Sequence, residues 1–163
     1  MTAKPPAIVI DGLEYRWPAG SFCLKLPSLA VNPENSLFLQ GPSGSGKSTL
    51  LNLIGGVLTP QAGRIDLLGQ RFSMLPAAQR DAFRADHIGF IFQQFNLIPY
   101  LSVLDNVLLP CRFSARRAAQ AGDAVVAATT LLDRLDIAPE LHTRPAHALS
   151  VGQQQRVAAA RAL

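Results

Sequence analysis

The chain has 163 residues, 48% of them hydrophobic, and a formal net charge of +4, enough length and apolar content for one sizeable core. No apolar run approaches the ~20 residues that cross a bilayer, and the cations are too dispersed, without interleaved aromatics, to suggest a nucleic-acid partner. Cys23 and Cys111 show neither metal spacing nor a disulfide framework, and no basic segment followed by an apolar run opens the chain, which suits a reducing cytoplasm.

In chain order, Ile8, Ile10, Leu13 and Tyr15, then Phe22, Leu24 and Leu26, alternate as strands with one buried face do and predict an antiparallel β piece. Residues 37–40 read as a short apolar strand. An apolar helix through Leu50, Leu51, Leu53 and Ile54 follows, ended by Gly55-Gly56. The turn Thr59-Pro60-Gln61-Ala62-Gly63 leads into a strand over 64–68, and a short helix begins near Pro76. Residues 88–92 read as a buried strand.

Beyond Gln93 the period becomes helical, over 102–109 and then along an Ala-rich stretch over 114–135 with Val125, Leu131, Leu132 and Leu135 as apolar positions. Arg112, Arg116 and Arg117 read as the solvated start of a helix capped by Ser114. Ser150 reads as the N-cap of a last helix, with Gln153 closing a capping box. Gly152, inside that first turn, costs about 1 kcal/mol against Ala, so a close backbone approach is expected there.

Between the strand over 37–40 and the helix that follows stands Gly41-Pro42-Ser43-Gly44-Ser45-Gly46-Lys47-Ser48, the G-x-x-x-x-G-K-[ST] phosphate loop in the strand–loop–helix context it requires. Main-chain N–H groups of such a loop point inward as an anion nest, and the helix starting near Lys47 adds its positive dipole end. Lys47 is expected between the outer phosphates, and the Ser48 hydroxyl on Mg²⁺. Gly41 through Ser48, with Thr49, are therefore the candidate nucleotide contacts. A flexible Gly/Ser linker would carry no fixed Lys and would not be clamped between apolar segments.

Leu149-Ser150-Val151-Gly152-Gln153 resembles the Leu-Ser-Gly-Gly-Gln signature of ATP-binding-cassette (ABC) ATPases, with Val151 in place of the first Gly. With the phosphate loop, the resemblance to the nucleotide-binding subunit of an ABC transporter covers essentially the whole chain. It implies an α/β fold: a P-loop core with the antiparallel β piece over 1–93, an inserted helical subdomain over 94–149 and the signature helix over 150–163. Gln93, ending Ile88-Gly89-Phe90-Ile91-Phe92, looks like the Q-loop Gln that contacts Mg²⁺ and the attacking water, ahead of Gln94. Trp17, before Pro18-Ala19-Gly20, looks like the aromatic that stacks on adenine, with Tyr15 second.

In the family two chains pair head to tail, and Ser150, Gly152 and Gln153 of one chain would then meet the ATP held by the other. The resemblance implies Mg²⁺ and ATP, a second ATPase subunit and a membrane-spanning permease as partners, no nucleic acid, and a place at the cytoplasmic face of the membrane. The apolar stretch over 95–103 is the candidate permease contact, and the wording around Gln93 looks most like the lipoprotein-release and macrolide-efflux branch. The resemblance further implies an acidic strand ending in Asp-Glu and a switch His, neither of which occurs by Leu163, so this stretch alone is expected to be inactive. The alternatives are a non-catalytic nucleotide-binding fragment, an ABC-type ATPase unconnected to transport, and another P-loop enzyme such as a small-molecule kinase.

Overall fold

The computed structural model describes residues 5–18 and 23–163; Phe22 and the Ala19-Gly20 turn lie outside them. The early alternation forms β1 (Ile8–Arg16) and β2 (Cys23–Val31), and the 64–68 pattern forms β3 (Ala62–Leu67). The three make an antiparallel sheet in the order β2-β1-β3. Along β3 the register shifts by one, since Asp11 faces Arg64 and Glu14 faces Ala62. That bulge explains why the buried residues of β1 change phase from Ile10 to Leu13 and Tyr15: an extra residue is absorbed without turning the apolar set to solvent. Gly63 permits it, because a Cβ there would stand 2.3 Å from the Gly12 carbonyl oxygen.

Main-chain contacts divide the chain into two compact units, Met1–Asp81 and Ala82–Leu163. In the first, Leu50 and Leu53 of α1 (Lys47–Ile54) are buried, as are Ile10, Leu13, Ile65 and Phe72. α2 (Ala77–His87) follows as its proline start suggested. The second unit holds α3 (Val103–Phe113), α4 (Ala115–Ala121), α5 (Ala124–Arg134) and α6 (Val151–Ala162). Its core joins Val103 and Val107 of α3, Ala128 and Leu132 of α5, and Val157 and Ala160 of α6, with Ile137 and Leu149.

Four sequence expectations change. Residues 37–40 form no strand, with Leu37 and Phe38 exposed, and residues 88–92 form none either, with Ile91 and Phe92 exposed. A strand exists only where a neighbour pairs its N–H and C=O groups, and neither segment has such a neighbour among the described residues. The Ala-rich stretch is two helices, because Gly122 takes φ 63° and Asp123 accepts from the Val125 and Val126 amides to cap a new one. That cap turns Val125 out to solvent, 50% exposed, so it is no core position. Leu132→Ala, at a fully buried site, is expected to cost about 2–5 kcal/mol, whereas Val125→Ala should stay within about 0.5 kcal/mol; urea midpoints with unchanged m-values check both.

Candidate functional site

The loop over 41–48 runs into α1 through Gly46, the N-cap, whose φ of 93° a side chain would resist. The helices α3, α4, α5 and α6 are closed at their N-termini by Ser102, Ser114, Asp123 and Ser150 side chains, but α1 has no capping side chain and no acidic residue in its first turn. Its leading N–H groups and dipole are left for an anion. Lys47 donates from Nζ to the carbonyl oxygens of Gly41 at 2.7 Å and Pro42 at 2.8 Å, with Ser45 Oγ at 3.4 Å. The ammonium is thereby held against the loop it would serve.

An open cleft of about 620 Å³ is lined by Trp17 and residues 43–49. Trp17 donates from Nε1 to Thr49 Oγ1 at 3.4 Å and keeps 42% of its surface exposed. Tyr15 packs edge-on against it, ring centroids 5.4 Å apart, and is itself buried. The structure therefore puts Trp17 in the cleft and Tyr15 behind it. Ser43, Gly44, Ser45, Gly46, Lys47, Ser48 and Thr49 all line this cleft, while Gly41 and Pro42 meet it through their carbonyl bonds to Lys47.

Gln93, Ser150, Gly152 and Gln153 belong to the second unit. Gln93 is exposed in a turn that the Phe95 amide closes by donating to the Phe92 carbonyl at 2.9 Å. The capping box is present: the Gln153 amide donates to Ser150 Oγ and the Ser150 amide to Gln153 Oε1. Val151 is 70% exposed, and apart from the flanking residues and the helix's own backbone no atom among the described residues comes within 4 Å of where a Gly152 Cβ would stand. The close approach expected at Gly152 is not made among the described residues.

Asn106 escaped the sequence reading. Fully buried, it accepts from the Ile98 amide at 2.8 Å and donates to the carbonyls of Ile98, Leu101 and Ser102, clamping the apolar loop that leaves Tyr100 exposed. A lone Asn on an otherwise apolar helix face was the available signal. At the start of α3 the Ser102 hydroxyl, and then Arg112, hold Asp105 below the usual carboxylate range. Burial, reinforced by the Arg116 cation, lowers the His87 imidazole, and burial alone lowers Arg161.

The sequence profile of the ABC transporter family matches residues 24–163. The chain belongs to that family. The macrolide export ATP-binding/permease protein MacB of Chromobacterium violaceum is 42% identical over 157 residues, covering 94% of this chain and 24% of that protein. The lipoprotein-releasing system ATP-binding protein LolD of Hydrogenovibrio crunogenus is 44% identical over 123 residues, 76% of this chain and 52% of that protein. Among solved structures, the dimeric ABC cassette MJ0796 of Methanocaldococcus jannaschii superposes with a TM-score of 0.80 at 36% identity, covering 96% of this chain and 68% of that one. A second structure of that cassette is described as a post-hydrolysis state bound to ADP and Pi.

These relatives bear out the α/β P-loop fold, the recognition from loop and signature, and the macrolide-export and lipoprotein-release branch. The ABC protein described here carries an ATP-binding domain of that type. It spans about a quarter of the length of MacB and about half of LolD. No helix among the described residues is long and apolar enough to cross a membrane.

Proposed function

We propose that the chain binds MgATP on the loop over 41–48 and, paired head to tail with a second ATPase subunit, hydrolyses it to drive a membrane-spanning permease from the cytoplasmic face. The observation that carries this reading is the uncapped start of α1 together with the Lys47 ammonium beside it and Trp17 in the same cleft. The free N–H groups of the loop and first turn bind phosphate oxygens, and Lys47 exchanges main-chain carbonyls for them, a gain because a phosphate oxygen carries charge. The exposed Ser48 hydroxyl is a hard oxygen donor, and no carboxylate lines the cleft, which fits an ion that brings phosphate oxygens and waters as its other ligands. Mg²⁺ held by the Ser48 hydroxyl would supply positive charge that neutralises the phosphates. Trp17 offers the base a ring held by Thr49 and Tyr15.

Gln93 orients the attacking water. Ser150, the Gly152 amide and Gln153 of one subunit close on the γ-phosphate held by the other subunit's loop, and the open space over Gly152 leaves room for that approach. Trp17 is the only tryptophan, which gives a direct test. Its fluorescence should change on adding MgATP and far less on adding inorganic triphosphate. Equal responses would move the base elsewhere, and silence towards both would remove nucleotide from the loop.

A further inference from the structure

Beyond the turn that carries Gln93 the chain takes two successive left-handed residues, Phe95 at φ 60° and Asn96 at φ 47°. Neither is glycine, and a phenylalanine in that region is strained. Such a conformation persists only where its surroundings over-determine it. Inside the turn, the Phe95 amide donates to Phe92 and the Asn96 amide to Gln94 at 2.6 Å.

From outside, one side chain grips both strained residues. Arg161, in the last turn of α6, donates from Nη2 to the Phe95 carbonyl at 2.7 Å and from Nη1 to the Asn96 carbonyl at 2.6 Å. A guanidinium offers two parallel N–H groups in one rigid plane, which an ammonium cannot, and charge-assisted bonds of this length are strong ones. The same helix repeats the device: Arg156 donates from Nη1 to the carbonyls of Leu135 at 3.1 Å and Asp136 at 3.2 Å, where Asp136 is left-handed at φ 54°.

We infer that Arg161 is a positioning residue, which through its two bonds to the Phe95 and Asn96 carbonyls fixes the Gln93 turn to the helix whose first turn carries Ser150 and Gly152. The helix acts as a rod. It carries the signature at one end and holds the Gln93 turn at the other, so the two keep a set spacing within the second unit. This rests on the proposed role of Gln93 with water. Arg161 itself touches no substrate; its loss should let the turn relax while the loop over 41–48 binds nucleotide as before.

The test compares Arg161→Lys and Arg161→Met in the full-length protein, with the exposed Arg112→Lys as control. By hydrogen exchange, the amides of Phe95 and Asn96 should exchange about tenfold faster in both Arg161 variants, Met more than Lys, and unchanged in the control, since the opening they report is local. ATP turnover should fall about tenfold or more in kcat, with KM for ATP within about twofold, the pattern of a group displaced from its working geometry. A purely structural role would lower the melting temperature without that split. Unchanged exchange in Arg161→Met would overturn the inference, as would faster exchange with unchanged kcat. Absence of ATP turnover in the wild-type protein would instead sink the proposed function, and the exchange measurement would still decide whether Arg161 holds the turn.

Discussion

Lys47→Ala in the full-length protein should weaken ATP binding by about ten- to a hundredfold and bring turnover to background, the loss expected for a charged hydrogen-bonding partner worth about 1.5–3 kcal/mol. The variant should fold normally. Gly41 and Pro42, the carbonyls that Lys47 now holds, are solvent-exposed, so water replaces the ammonium and no buried group is orphaned. Binding and stability therefore separate cleanly, by titration with MgATP beside a thermal melt. Cys111→Ala, in the helical unit and remote in sequence from the loop, should change neither. Normal turnover by the Lys47 variant would remove the phosphate-loop assignment altogether.

Ser150 yields the second large effect, because its two possible roles differ in size. As a helix cap alone, its loss costs about 1 kcal/mol of stability. If the hydroxyl also reaches a nucleotide held by the partner subunit, ATP-driven dimerisation and turnover should fall well beyond that in Ser150→Ala. Mixing subunits separates the roles. A Lys47→Ala subunit paired with a Ser150→Ala subunit carries one doubly damaged site and one intact site, so activity should recover relative to either homodimeric variant. Mixtures no more active than the two variants alone would argue that each site is built within a single subunit.

The phosphate loop was legible because its chemistry is local: eight consecutive residues fix both the backbone shape and the charge. The caps at Ser114 and Ser150 were legible for the same reason, each being a bond to an amide three residues on. The segments over 37–40 and 88–92 misled because apolar content marks a segment for burial, whereas a strand is a relation to a second segment. Gly122-Asp123 went unread as a stop and start inside a helical composition. Arg161 was beyond reach by a different route, since its partners are carbonyls whose availability depends on how a distant turn folds; Arg161 and Asn96 are 65 residues apart.

The bulge in β1 has a bearing on how a nucleotide base would be met. Tyr15 and Trp17 leave the chain on one side because they are two residues apart, and that side is the buried one only because a residue was absorbed between Ile10 and Leu13. Were the count even and the ladder regular, the same Trp would emerge on the opposite side, away from Thr49. The aim of the ring is therefore a matter of parity. It is kept by the missing Cβ of Gly63, which lies against Asp11 and Gly12, so the proposed recognition of a base at Trp17 would depend on how many residues precede the aromatic as much as on the aromatic itself.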